Sequence, residues 1–168
     1  MSAQRLVVMG PSGSGKTAVG AALAIDLAVE FVDADDLHPA ANVAKMSAGE
    51  ALDDADRWPW LDIVARTLAA MPGGGVVACS ALARRYRDRI RAGVPDAVFV
   101  ELIVDRDELD RRMRAREHFM PPALLDSQVA TLEHLGPDEP GFPVPNVGGV
   151  IDVAAAARLR LEDLTGSV

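Results

Sequence analysis

The stretch Gly10-Pro11-Ser12-Gly13-Ser14-Gly15-Lys16-Thr17 decides the fold. It fits G-x-x-x-x-G-K-[ST], the phosphate-binding P-loop. Before it, Leu6-Val7-Val8-Met9 is a short apolar run that reads as a buried strand. After it, residues 17–28 are rich in Ala and Leu, with Val19, Leu23 and Leu27 at helical spacing. Strand, glycine loop and helix, in that order, are the context the motif requires. Glycine at 10, 13 and 15 lets the backbone wrap closely, so that amides point at a polyphosphate. The helix that follows aims its positive dipole end at the same place. This reading gives Gly10, Ser12, Gly13, Ser14, Gly15, Lys16 and Thr17 to a nucleoside triphosphate. Lys16 reaches the β- and γ-phosphates, and Thr17 gives its hydroxyl to Mg²⁺.

A length of 168 residues predicts one domain over 1–168 with its own core. A formal net charge of −8 argues against nucleic acid as a partner. The lone cysteine, Cys79, excludes an internal disulfide and suits a reducing compartment. No apolar run reaches the ~18 residues of a membrane span. Met1 to Arg5 leads straight into the first strand without a signal-peptide pattern. The expectation is a cytoplasmic protein that binds neither membrane nor nucleic acid.

Working outward, Glu30-Phe31-Val32-Asp33 reads as strand two, beside the P-loop strand if the usual winding holds. Pro39 opens a helix carrying Asn42, Val43, Lys45 and Met46. Asp53, Asp54 and Asp56 crowd a turn, and a longer helix is predicted over 58–71, where Trp60, Val64, Leu68 and Met71 recur at helical spacing and read as core. Val76-Val77-Ala78-Cys79 reads as strand three, ending at Ser80, and a basic helix follows over 84–91. Residues 98–104 read as strand four, 107–116 as a helix, and Pro121-Pro122 restarts a helix through Leu132. Strand five has two candidates. Phe142-Pro143-Val144-Pro145-Asn146 carries prolines that restrict it to a sheet edge, and 147–151 competes with it. A last helix runs to Leu164. Strands alternating with helices predict an α/β fold: a parallel sheet between two helical layers. Ligands of such sheets bind beyond the carboxyl ends of the strands, where Gly10, Asp33 and Ser80 converge.

Phosphoryl transfer needs the γ-phosphate held, its charge neutralised and an acceptor hydroxyl placed in line. Period-two alternation points Asp33 and Asp35 to one side. Asp33 is assigned to water-mediated support of Mg²⁺, and Asp35 to the base that takes the hydroxyl proton. The competing reading is a solvated acidic turn in which Asp36 caps a helix. Ser80 stands where a motor ATPase carries a strand-ending acid. A GTPase fits badly, since N-K-x-D is absent and Asp138-Glu139-Pro140-Gly141 lies far downstream. Arg111, Arg112, Arg114 and Arg116 mark a mobile lid, with Arg112 on the nucleotide and Arg116 on the transferring phosphoryl group. The alternative for each arginine is a solvated basic face.

These motifs resemble gluconate kinases of the thermoresistant gluconokinase type, in the P-loop group that includes shikimate and nucleoside monophosphate kinases. Besides the P-loop, the resemblance rests on Asp33-Ala34-Asp35-Asp36-Leu37-His38-Pro39 with Asn42, Lys45 and Met46, on Ser47-Ala48-Gly49-Glu50, and on Asp53-Asp54-Ala55-Asp56-Arg57 before Pro59-Trp60-Leu61. It continues in Cys79-Ser80-Ala81-Leu82 with Tyr86-Arg87, and in His118-Phe119-Met120-Pro121 with Leu124-Leu125-Asp126-Ser127-Gln128. It implies ATP and Mg²⁺, transfer of the γ-phosphate to D-gluconate, and a homodimer. It also implies a five-stranded parallel sheet of order 2-3-1-4-5, substrate-binding helices over about 37–71 and a lid over about 111–135. For a polyhydroxy acid, Lys45, Arg57 and Arg87 are the candidate cations. His38, Asn42, Ser80, His118 and Gln128 are the candidate polar partners, beside Asp35. Two departures stand out: only Glu117 separates Arg116 from His118, where the family has a two-residue spacer, and 142–149 carries Pro and Gly where the family has an Asp-containing strand. Shikimate kinase is the alternative, but Gly73-Gly74-Gly75 precedes strand three rather than following it. A nucleoside monophosphate kinase and a nucleotide-binding regulatory module without chemistry are the remaining readings.

Overall fold

In a computed structural model that describes residues 3–116 and 122–166, β1 (Gln4–Met9) runs into the glycine loop and α1 (Lys16–Leu27) leaves it. The chain continues through β2 (Glu30–Asp33), a 3-10 turn (Ala34–Leu37), α2 (Ala40–Ser47), α3 (Asp54–Ala69), β3 (Gly74–Ala78) and α4 (Arg84–Gly93). Then come β4 (Ala97–Ile103), α5 (Arg106–Arg114), α6 (Pro122–Thr131), β5 (Gly141–Pro145) and α7 (Val150–Gly166). The strands form one five-stranded parallel sheet of order β2-β3-β1-β4-β5. This is the order the resemblance implied. It corrects the placement of β2 beside the P-loop strand, because β3 lies between them.

Successive side chains of a strand face opposite sides, and β1 uses both. Leu6 and Val8 pack with Val19 and Leu23 of α1 and with Val153 and Ala157 of α7. Val7 and Met9 pack with Trp60, Val64 and Leu68 of α3 and with Tyr86 and Ile90 of α4. The result is a three-layer sandwich, and its central strands are apolar runs because both faces are covered. Glu101 of β4 is the exception. Its buried carboxylate accepts from Leu135 N–H at 3.0 Å and lies 2.5 Å from His134 Nδ1, so it is paired inside the core. That pairing also anchors the chain beyond α6 to the sheet.

One boundary departs from expectation for a local reason. α3 begins at Asp54, not at Trp58. Asp53 accepts from Asp56 N–H at 2.8 Å and Asp56 accepts from Asp53 N–H at 3.0 Å, a capping box formed by acids that read as a crowded turn. Pro59 is tolerated inside the helix, and the amide it lacks would have met the carbonyl of exposed Ala55, which solvent can serve. β5 is the proline-bearing candidate, and 147–151 instead turns into α7. Asn146 N–H donates to Ile103 O at 2.9 Å, so even-numbered amides face β4 while Pro143 and Pro145 turn their nitrogens to the open edge. Among the described residues no helix is long and apolar enough to cross a membrane.

Candidate active site

The phosphate cradle is a backbone construction. Gly10, Gly13 and Gly15 adopt φ of 151°, 83° and 89°, which side-chain-bearing residues rarely do. At Gly15 space is also short, because a Cβ would lie 2.4 Å from Asn146 Nδ2. Asn146 donates to Ser14 O at 2.6 Å, and Arg112 donates to Gly13 O at 3.1 Å and to Asn146 O at 3.3 Å. The end of β5 and the helix α5 therefore clamp the loop from outside. Lys16 is buried, and among the described residues its Nζ has one long hydrogen bond, to Pro11 O at 3.4 Å. Burial lowers its pKa, while the Asp35 and Asp33 carboxylates oppose that shift. A buried ammonium with a single weak acceptor is a place for an anion, so the loop fits a polyphosphate.

α1 carries Thr17 to the end of β2, where Thr17 Oγ1 donates to Asp33 Oδ2 at 2.7 Å. Asp33 Oδ1 accepts from Asp35 N–H at 2.9 Å and caps the 3-10 turn. Strand alternation is therefore not what orients Asp35; the turn carries it round into the cavity. A threonine hydroxyl beside a carboxylate suits a hard cation that keeps waters and phosphate oxygens in its shell. Cys79 lies just beyond β3, fully buried, and burial pushes its thiol up to about 12, so it is no nucleophile.

A cavity of about 400 Å³ opens beside the cradle. It is lined by the anticipated Ser12, Lys16, Asp35, His38, Arg57, Ser80, Arg116 and Gln128. Its volume and mixed wall suit a small polar molecule. Ser12 N–H donates to Gln128 Oε1 at 2.7 Å, tying α6 to the P-loop. Arg57 Nη1 donates to Tyr86 Oη at 2.9 Å, and Tyr86 in turn donates to Asp54 at 2.5 Å. Burial raises the Tyr86 pKa, and the bond to Asp54 adds to it, so this phenol stays protonated. His38 stacks on Trp60, with centroids 4.1 Å apart and 15° between the planes. Burial lowers the His38 pKa, against the pull of Asp35.

Other anticipated residues stand elsewhere. Arg87 is completely buried: Nε and Nη2 donate to Glu139 at 2.6 and 2.8 Å, and Nη1 to Ala81 O and Glu133 O at 3.0 Å each. Its charge and donors are spent inside the protein, so it is no cation for a ligand. It also holds the loop that carries Ser80, where Ala81 sits at φ 41°. Lys45 Nζ pairs with Asp56 at 2.8 Å and does not line the cavity. Asn42 is buried behind His38 rather than facing the cavity. Arg112 lines no part of it and binds loop carbonyls instead. His118 lies outside the described residues.

The cavity also recruits residues that were not anticipated. Trp60 belongs to the core, 2 % exposed, yet it forms part of the wall. Glu50, Leu52, Met46 and Tyr86 line it too, and all four fall in blocks that carried the resemblance or lie beside them. Asn146 had no local signal, because its partner Ser14 is 132 residues away.

The AAA domain family matches residues 6–135. A gluconokinase of Gluconobacter oxydans is 49 % identical over 139 residues, spanning 80 % of this chain and 78 % of that protein. The thermoresistant gluconokinase of Escherichia coli is 38 % identical over 159 residues, spanning 92 % and 91 %. The crystal structure of a gluconokinase from Sinorhizobium meliloti superposes with a TM-score of 0.87 at 40 % identity, over 98 % of this chain and 97 % of that one. A shikimate kinase from Bacteroides thetaiotaomicron, 19 % identical with a TM-score of 0.68 over 97 % and 98 %, shares the fold.

Proposed function

The chain belongs to the gluconokinase family, and from that premise we propose that it transfers the γ-phosphoryl group of ATP to D-gluconate, giving 6-phospho-D-gluconate. One observation carries the reading: a single cavity joins the buried Lys16 ammonium to Asp35 and to a wall holding His38, Arg57, Arg116 and Gln128. Bound Mg²⁺-ATP supplies the phosphoryl group. Gly10, Ser12, Gly13, Ser14 and Gly15 cradle the phosphates, with Arg112 and Asn146 bracing the loop. Thr17 would hold Mg²⁺ through its hydroxyl, and Asp33 would support it through water. Lys16 and Arg116 neutralise charge on the transferring group. Asp35 takes the proton of the acceptor hydroxyl on a carboxylate oxygen.

Arg57 meets the sugar-acid carboxylate, and Ser80, His38 and Gln128 serve its hydroxyls. The residues over 37–71 form the acceptor wall, and those over about 111–135 act as a lid that keeps water from the γ-phosphate. The whole chain works as one kinase domain, in the cytoplasm, as a homodimer. The test is ADP release by purified protein with Mg²⁺-ATP and a panel of D-gluconate, shikimate and AMP. Turnover with gluconate alone is expected; turnover with shikimate or AMP in its place would overturn the assignment.

A further inference from the structure

Asn42 is 3 % exposed and does not line the cavity, yet its side chain sits at a decisive junction. Its Nδ2 donates to Asp56 O at 3.0 Å and lies 3.2 Å from His38 Nδ1. A backbone carbonyl can only accept, so the contact with Asp56 identifies which end of the Asn42 amide is nitrogen. An amide nitrogen donates and does not accept. His38 Nδ1 is therefore the acceptor of that bond and carries no proton. In a neutral imidazole the proton then sits on Nε2. That nitrogen has no protein partner among the described residues, while the ring lines the cavity and is locked by its stack on Trp60.

We propose that Asn42 is a positioning residue that holds His38 as the neutral Nε2–H tautomer, making His38 a hydrogen-bond donor to an acceptor hydroxyl oxygen and barring it from acting as a base. The inference rests on the reading of the cavity as a sugar-acid site. Its consequence is a division of labour: proton removal falls to Asp35, and His38 only orients. The charged groups sharing the cavity with the ring are Lys16 of α1, Asp35 of the 3-10 turn, Glu50 after α2, Arg57 of α3 and Arg116 after α5. Burial disfavours the imidazolium and Arg57 adds to that effect, while Asp35 opposes it. Protonation would also place an N–H on Nδ1 against the Asn42 N–H, losing the bond.

The test is a nitrogen–proton correlation spectrum of the imidazoles in ¹⁵N-labelled protein without nucleotide, recorded across pH. The chain has three histidines, His38, His118 and His134, and H38Q assigns the first by loss of its signal. The expected wild-type result is the Nε2–H pattern, with a titration midpoint below that of free histidine. N42D, which puts an acceptor in place of the amide nitrogen, is expected to move the proton to Nδ1 and to raise that midpoint. In turnover, N42D is expected to raise the gluconate KM about tenfold, the scale of one polar contact. A wild-type proton on Nδ1, or an unchanged tautomer in N42D, would overturn the proposal. The wild-type spectrum decides it even if N42D does not fold. The spectra need no substrate, so an Nε2–H His38 in a chain that ignores gluconate would sink the proposed function and leave the tautomer standing.

Discussion

The phosphate cradle and the acceptor wall face one cavity, and they are built on opposite plans. The cradle is eight consecutive residues whose glycines take φ that other residues avoid, and the groups it offers are mostly backbone amides. Its braces from afar, Asn146 and Arg112, grip carbonyls and would tolerate many neighbours in sequence. The wall is made of side chains drawn from a 3-10 turn, α3, the loop after β3 and α6. Several are aimed by another side chain: His38 by Asn42 and Trp60, Arg57 by Tyr86, and the Ser80 loop by Arg87. A backbone site survives as a motif, because its geometry is local. A side-chain site depends on which residues the packed molecule turns inward.

Four substitutions probe that contrast, in falling order of effect. Asp35→Asn should lower kcat by about 10²–10⁴-fold, the usual contribution of a positioned general base. Calorimetric ATP affinity should not change, since the cradle does not use this carboxylate for its own shape. Full turnover in that variant would remove Asp35 as the base and erase the boundary between the two halves. The next contrast sets Arg87→Ala against Arg57→Ala. Removing Arg87 leaves the Glu139 carboxylate buried and unpaired, and urea unfolding should show a loss of about 3–5 kcal/mol. Removing Arg57 should instead raise the gluconate KM about tenfold or more with the ATP KM unchanged. A specific gluconate KM defect in a fully stable Arg87→Ala protein would show that the wall has been drawn wrongly.

The smallest effect concerns the support beneath Arg57. Asp54 is held at about 2, first by its hydrogen bond from Arg85 and then by that from Tyr86. Its pKa is depressed on folding, so its contribution is present above the ordinary carboxylate range and is lost as pH falls toward about 2. Asp54→Asn should therefore be slightly less stable than wild type at neutral pH, with the gap closing as acid protonates Asp54. A gap that widened on acidification would mean that Asp54 does not stabilise the fold as a carboxylate.

Much of the fold was legible along the chain. Apolar runs and helical spacings separated strands from helices, and their alternation called for a parallel sheet. The start of α3 was missed because Asp53 and Asp56 read as a turn, although reciprocal acids three apart also make a cap. Strand five stayed ambiguous because whether its prolines are tolerated depends on where the strand lies, and the sheet edge it takes beside β4 allows them. In the site, Arg57 and Arg87 had equal standing as cations. Nothing near Arg87 announces Glu139, which lies 52 residues further on. Tyr86, Arg87 and Ile90 are the buried stripe of α4, and an arginine there must be neutralised inside the protein.

The order of residues alone was enough to specify a strand, a glycine loop and a helix with Lys16 and Thr17 at its mouth, because those requirements are met within a dozen neighbouring residues. Folding in three dimensions alone decided that Arg57 lines the cavity while Arg87 and Lys45 face Glu139 and Asp56. The physical reason is charge satisfaction. A buried guanidinium goes to whatever carboxylate the packed elements bring within hydrogen-bond reach, and that partner is set by the stacking of layers, not by distance along the chain.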